Sequence, residues 1–95
     1  MRPIHSRMTP LRQRMVEDLQ LRNYSEQTTR AYLRCVADFA KHFGTSTEHL
    51  GPEQVRTYQL FLVQEKKVAW SSIVQTVCAV RFFYRVTLGR PAMLE

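Results

Sequence analysis

Cysteine is scarce in this chain. There are two, Cys35 and Cys78, and neither belongs to a C-x-x-C pair. Disulfide scaffolds of this size are far denser in cysteine, so two free thiols in a cytoplasmic protein are expected. Glycine is almost as sparse: Gly44, Gly51 and Gly89 stand singly, which excludes a glycine-rich phosphate loop. No stretch approaches the roughly 18 apolar residues of a membrane span. The first nine residues carry charge but lack the apolar run of a secretory signal. His5, His42 and His49 are scattered, without metal-ligand spacing to one another, to cysteine or to an acidic cluster. No metal, cofactor or small-molecule ligand is therefore expected, and nothing points to catalysis.

What the chain does have is enough apolar material for a core, with 44% hydrophobic and 11% aromatic residues. At 95 residues it fits one small domain, which buries only roughly 60–65% of the surface its unfolded form exposes. A deep catalytic cleft is not expected in such a chain. Its 14 basic residues outnumber the 8 acidic ones, for a formal charge of +6, which favours a polyanionic partner.

Start and stop signals divide the chain into four helices. Thr9 followed by Pro10 reads as the N-cap and first residue of a helix through Leu11, Met15, Val16 and Leu19, ending near Asn23. Ser25 caps a second helix, which Gly44 ends. After a Thr/Ser-rich connector, Pro52 opens a third helix that runs to about Lys66. Lys67 to Trp70 form a turn, Ser71 or Ser72 caps the fourth helix, and Gly89 stops it before Pro91. No segment alternates with period two, so the fold class is all-α, a compact four-helix bundle.

On a wheel of about 100° per residue, Tyr32, Val36, Phe39, Ala40 and Phe43 form one face of the second helix. Arg30, Arg34 and Lys41 form a basic strip on the opposite face. In the fourth helix Ile73, Val77, Val80 and Tyr84 form a core face with Phe83 at its flank, and Arg81 and Arg85 mark a second basic strip beside Cys78. The third helix turns Val55, Tyr58 and Leu62 inward. Phe82 falls on the non-core side, where an exposed ring would pack against another domain or subunit. Tyr24 is placed to act as a hydrophobic staple for the second helix.

Leu-Arg-Asn-Tyr-Ser-Glu-Gln-Thr-Thr-Arg-Ala-Tyr (21–32), followed by Leu33, Phe39 and Phe43, resembles the start of the core-binding domain of tyrosine recombinases, the phage-type integrases. Ser25, Thr28, Tyr32, Leu33 and Phe39 fit that family's pattern. So does the aliphatic-Arg-x-Phe-Tyr run Val80-Arg81-Phe82-Phe83-Tyr84, and Gly51 to Tyr58 resembles the family's entry to the third helix. The resemblance covers roughly residues 9–90 and implies a SAM-like bundle preceding a catalytic domain, with residues 1–8 a flexible tail. Residues 91–95 would be the start of an interdomain linker or, at Leu94-Glu95, a vector-derived junction.

The implied function is DNA binding within site-specific recombination, in a bacterium, phage or mobile element. The resemblance places Ser25, Thr28, Arg30 and Arg34 on the second helix, and Ser71, Ser72, Gln75 and Thr76 on the fourth, near DNA. The basic strips add Lys41 and Arg81 as candidates. Gln75 is the candidate for a base edge, since Gln pairs bidentately with adenine. Where many members carry Asn or Arg early in the fourth helix, this chain has Val74, Gln75 and Thr76, which weakens base reading there. The family's catalytic Arg, Lys, His and Tyr belong to the following domain, so this chain by itself is not expected to be an enzyme. Expected partners are double-stranded DNA, that catalytic domain and neighbouring protomers. The alternative is a helical protein-interaction module, with an apolar patch around Phe82 and solvated basic faces.

Overall fold

The computed structural model describes residues 10–89, and these are helical with connecting turns. Helix α1 spans Pro10–Leu21, α2 Glu26–Phe43, α3 Pro52–Phe61 and α4 Trp70–Phe82, with a single 3-10 turn at Thr47–His49. Two π turns extend the last two helices, Leu62–Lys66 after α3 and Phe83–Thr87 after α4.

The four-helix division holds, with local corrections. The first helix stops at Leu21, because Asn23 takes a left-handed φ of 62°. The Tyr24 amide then folds back to donate to the Leu19 carbonyl at 3.1 Å. Thr9, expected to cap α1, lies outside the described residues, as do the expected tail at 1–8 and the segment 91–95. Ser25 caps α2 as expected, its side chain accepting from the Thr28 amide. Gly44 ends α2 at φ 65°, a conformation that costs other L-residues roughly 1–2 kcal/mol. Pro52 opens α3, and the Gly51 amide donates to the Gln54 side chain at 2.7 Å, the backward half of a capping box.

Neither Ser71 nor Ser72 caps α4. The N-cap is Ala69, which has no side chain to offer, so the helix begins one residue before Ser71. Its first amides are left without a side-chain partner.

The core runs through all four helices, from Met15 and Leu19 through Leu33, Val36 and Phe39 to Tyr58, Ile73 and Val80. Phe39 is fully buried at its centre, with edge contacts to Phe43 at 5.4 Å, Tyr58 at 5.3 Å and Tyr84 at 6.3 Å. The principal packing is α2 against α4. The π turn after α4 widens its last turn by one residue and so rotates the side chains from Phe83 onward. Phe83, expected at the flank, becomes a core residue at 2% exposure, and Thr87 is buried as well. Thr87 donates to the Asp18 carboxylate of α1 at 2.9 Å. Tyr84 donates to the Thr47 carbonyl at 2.7 Å, pinning the 3-10 turn to the end of the bundle.

Candidate nucleic-acid interface

The α2–α4 contact leaves a groove of about 380 Å³ along one side. Arg30, Ala31, Arg34, Cys35 and Asp38 line it from α2, and Ser72, Gln75 and Thr76 from α4. Spacings of three, four and one on each helix produce this arrangement, since such residues share a face. At its floor Thr76 Oγ1 donates to Cys35 Sγ at 3.7 Å. Burial pushes the Cys35 thiol up, against an opposing effect of that hydrogen bond, so Cys35 is a poor nucleophile at neutral pH.

The groove thus gathers five of the ten sequence-derived candidates: Arg30, Arg34, Ser72, Gln75 and Thr76. Arg30 pairs with Glu26 at 3.2 Å, but both side chains are exposed, at 76% and 83%, so the pair is weak and exchangeable for another anion. Gln75 is exposed and Thr76 half-buried.

The other five lie elsewhere. Ser25 and Thr28 sit at the α2 N-terminus and serve each other. The Ser25 hydroxyl oxygen accepts from the Thr28 amide at 3.1 Å and donates to Thr28 Oγ1 at 3.0 Å. Lys41 is exposed in the last turn of α2, beyond the groove. Ser71 is exposed at the α4 N-terminus without lining the groove. Arg81 belongs to a different concavity.

That second cleft, of about 540 Å³, is lined by Arg22, Tyr24, Tyr32, Cys78, Arg81, Phe82, Arg85 and Val86. Tyr24, Tyr32 and Phe82 form a ring cluster with centroids 5.6–6.3 Å apart. The Arg22 guanidinium lies 5.7 Å above the Phe82 ring and donates to the Asp18 carbonyl at 3.1 Å. Phe82 is therefore half-buried among aromatic neighbours rather than projecting as an apolar patch. The surface expected around Phe82 is thus a ring cluster lined by arginines. Tyr24 staples α2, but to Tyr32 and Phe82 rather than to a residue in the first turn.

Two further residues escaped the sequence reading. Asp38 brings a carboxylate into the groove, a signal available in its spacing of four from Arg34. Arg22, expected inside a first helix running to about Asn23, instead follows the end of α1 at the chain reversal and lies over the Phe82 ring of α4. Among the described residues no helix is long and apolar enough to cross a membrane, and no three His, Cys, Asp or Glu cluster as metal ligands.

Residues 11–93 match the family described as phage integrase, N-terminal SAM-like domain. The chain is 55% identical over 83 residues to a protein of Sinorhizobium fredii named "Putative integrase/recombinase y4qK", covering 87% of this chain and 27% of that protein. A second protein of the same organism, y4eF, carries the same descriptive name and is 54% identical over 41 residues, 43% of this chain and 16% of its own length. The chain thus spans about a quarter or less of these relatives. No solved structure matches it.

Proposed function

The chain belongs to the phage-integrase N-terminal SAM-like domain family, and from that premise we propose that it is the DNA-binding module of a site-specific recombinase. Duplex DNA lies along the α2–α4 groove, and the bond-breaking chemistry resides in a separate catalytic domain. One observation carries this reading: arginines of α2 and hydroxyl and amide side chains of α4 converge on one groove. Arg30 and Arg34 meet phosphates, with Arg30 exchanging Glu26 for a stronger anionic partner. The uncapped amides at the start of α4, next to Ser71 and Ser72, are oriented for a phosphate as well. Gln75 reaches a base edge from the groove wall. Asp38 repels the backbone and so limits which way the duplex lies. The catalytic domain, neighbouring protomers and a cytoplasmic setting in a bacterium or mobile element complete the proposed context.

Fluorescence anisotropy with a labelled duplex at about 50 and about 200 mM salt tests this. Affinity falls with a slope of roughly 0.9 per phosphate neutralised. Replacing Arg30 and Arg34 together with Ala lowers that slope by about 2 while the domain stays folded. Binding that is absent at low salt, or indifferent to salt, overturns the reading. A double variant that melts makes the arginines structural.

A further inference from the structure

The larger concentration of uncompensated charge is not in the groove. The groove holds two arginines, but one is paired with Glu26 and Asp38 sits beside them. The second cleft holds Arg22, Arg81 and Arg85 with no carboxylate on its lining. Its floor is aromatic, and Tyr24, the outermost ring, remains 37% exposed. Arg22 is held over Phe82, and its guanidinium meets a neutral carbonyl that leaves its charge intact.

We propose that this cleft binds single-stranded nucleic acid, with a phosphodiester on Arg81 and Arg85 and an unpaired base laid on the Tyr24 ring. Three features select this ligand. The guanidiniums call for an anion, and arginine matches phosphate bidentately. The volume, about 540 Å³, lies within the roughly 300–1,000 Å³ of organic-ligand pockets, so a lone phosphate leaves the ring floor unfilled. A paired duplex presents its phosphates outward and its base faces inward, and so reaches the arginines but not the ring. An unpaired nucleotide supplies both groups, the combination by which stacking platforms hold single strands. The site is separate from the duplex groove and stands whether or not the groove reading does.

Cys78 lies in the cleft and is exposed, so its labelling reports whether the cleft is occupied. The experiment titrates an oligo(dT) of about 12 nucleotides against the wild-type domain, following anisotropy and the labelling rate of Cys78 by mass spectrometry. Saturation with oligo(dT) is expected to slow Cys78 labelling at least tenfold. Replacing Arg81 and Arg85 with Gln weakens oligo(dT) binding tenfold or more, and Tyr24→Leu weakens it about fivefold or more, while Tyr24→Leu changes duplex affinity less than twofold. Arg34→Ala does the reverse. Circular dichroism confirms that each variant is folded, and Cys78 protection needs no variant at all. Oligo(dT) binding that leaves Cys78 labelling at its free rate overturns the assignment, as does equal weakening by Arg34→Ala. Duplex that protects Cys78 as well as oligo(dT) does also overturns it, reducing the cleft to a plain phosphate strip. Absence of duplex binding alongside cleft-dependent oligo(dT) binding sinks the groove reading only.

Discussion

Ser25 is a residue whose chemistry can be read two ways, as a helix cap or as a DNA contact. In the fold its oxygen is engaged with both the amide and the hydroxyl of Thr28. Two substitutions separate the roles. Ser25→Ala removes the cap and is expected to cost about 1 kcal/mol, whereas Ser25→Gly, also favourable at an N-cap, costs only a few tenths. Both delete the hydroxyl. Urea unfolding of the two variants alongside duplex titration assigns the residue: equal loss of affinity in both means DNA contact, and loss only in the alanine variant means the cap. Tyr84 is unambiguous by comparison. It is fully buried and its hydroxyl meets the Thr47 carbonyl, itself part of a buried residue. Tyr84→Phe removes one of the two donors to that carbonyl, which keeps the Leu50 amide at 3.2 Å, and is expected to cost about 0.5–1.5 kcal/mol, with the urea m-value unchanged. A variant as stable as the wild type means the bond contributes nothing net.

At the scale of elements, the helices were legible and their last turns were not. Ser25, Gly44 and Pro52 mark helix ends through fixed backbone preferences that need no tertiary context, and these boundaries hold. The start of α4 was misplaced because Ser71 and Ser72 look like caps, yet the apolar Trp70 joins the helix ahead of them. The two π turns carry no sequence signature. A period of 3.6 residues carried past Phe82 puts Phe83 at the flank, whereas in the widened turn it is buried; Thr87, seven residues after Val80, is buried as well. In that turn Thr87 bonds Asp18, which ties the last turn of the bundle to its first helix. Thr87→Val keeps the shape and removes the donor to a half-buried carboxylate, an exchange expected to destabilise by about 1.5–3 kcal/mol in thermal or urea unfolding. If Thr87→Val is neutral, the π turn is held by Phe83 and Tyr84 packing alone. The groove was half legible for a similar reason. The helix wheel marked Arg30 and Arg34, and the family resemblance implied Ser72, Gln75 and Thr76, but the second cleft depends on Arg22, which a corner places rather than a helix.

For the whole molecule, the excess of positive charge and the burial of weak acids respond to pH in opposite senses. Self-repulsion in a chain of formal charge +6 eases as basic groups lose protons, which favours the fold at high pH. Only three of the 14 basic residues are lysines, Lys41, Lys66 and Lys67; the rest are arginines, which keep their charge throughout. Repulsion therefore changes little below about pH 10. The opposing groups are Tyr32, Cys35 and Tyr58, all pushed up chiefly by burial from ordinary values of 10.0 for the tyrosines and 9.0 for the thiol. A raised acid contributes stability that is complete below its unfolded value. That contribution is lost as pH climbs through the folded value, because the unfolded chain releases the proton first. The burial effect wins, with Cys35 leading since its ordinary value is lowest. Urea midpoints are expected to stay level from about pH 7 to about pH 8.5 and to fall above about pH 9. Cys35→Ala moves the onset of the fall toward the tyrosine range. Duplex affinity rests on arginine and stays flat over the same span. Stability that rises between about pH 9 and about pH 10 would show instead that charge repulsion, and not burial, governs this small basic domain.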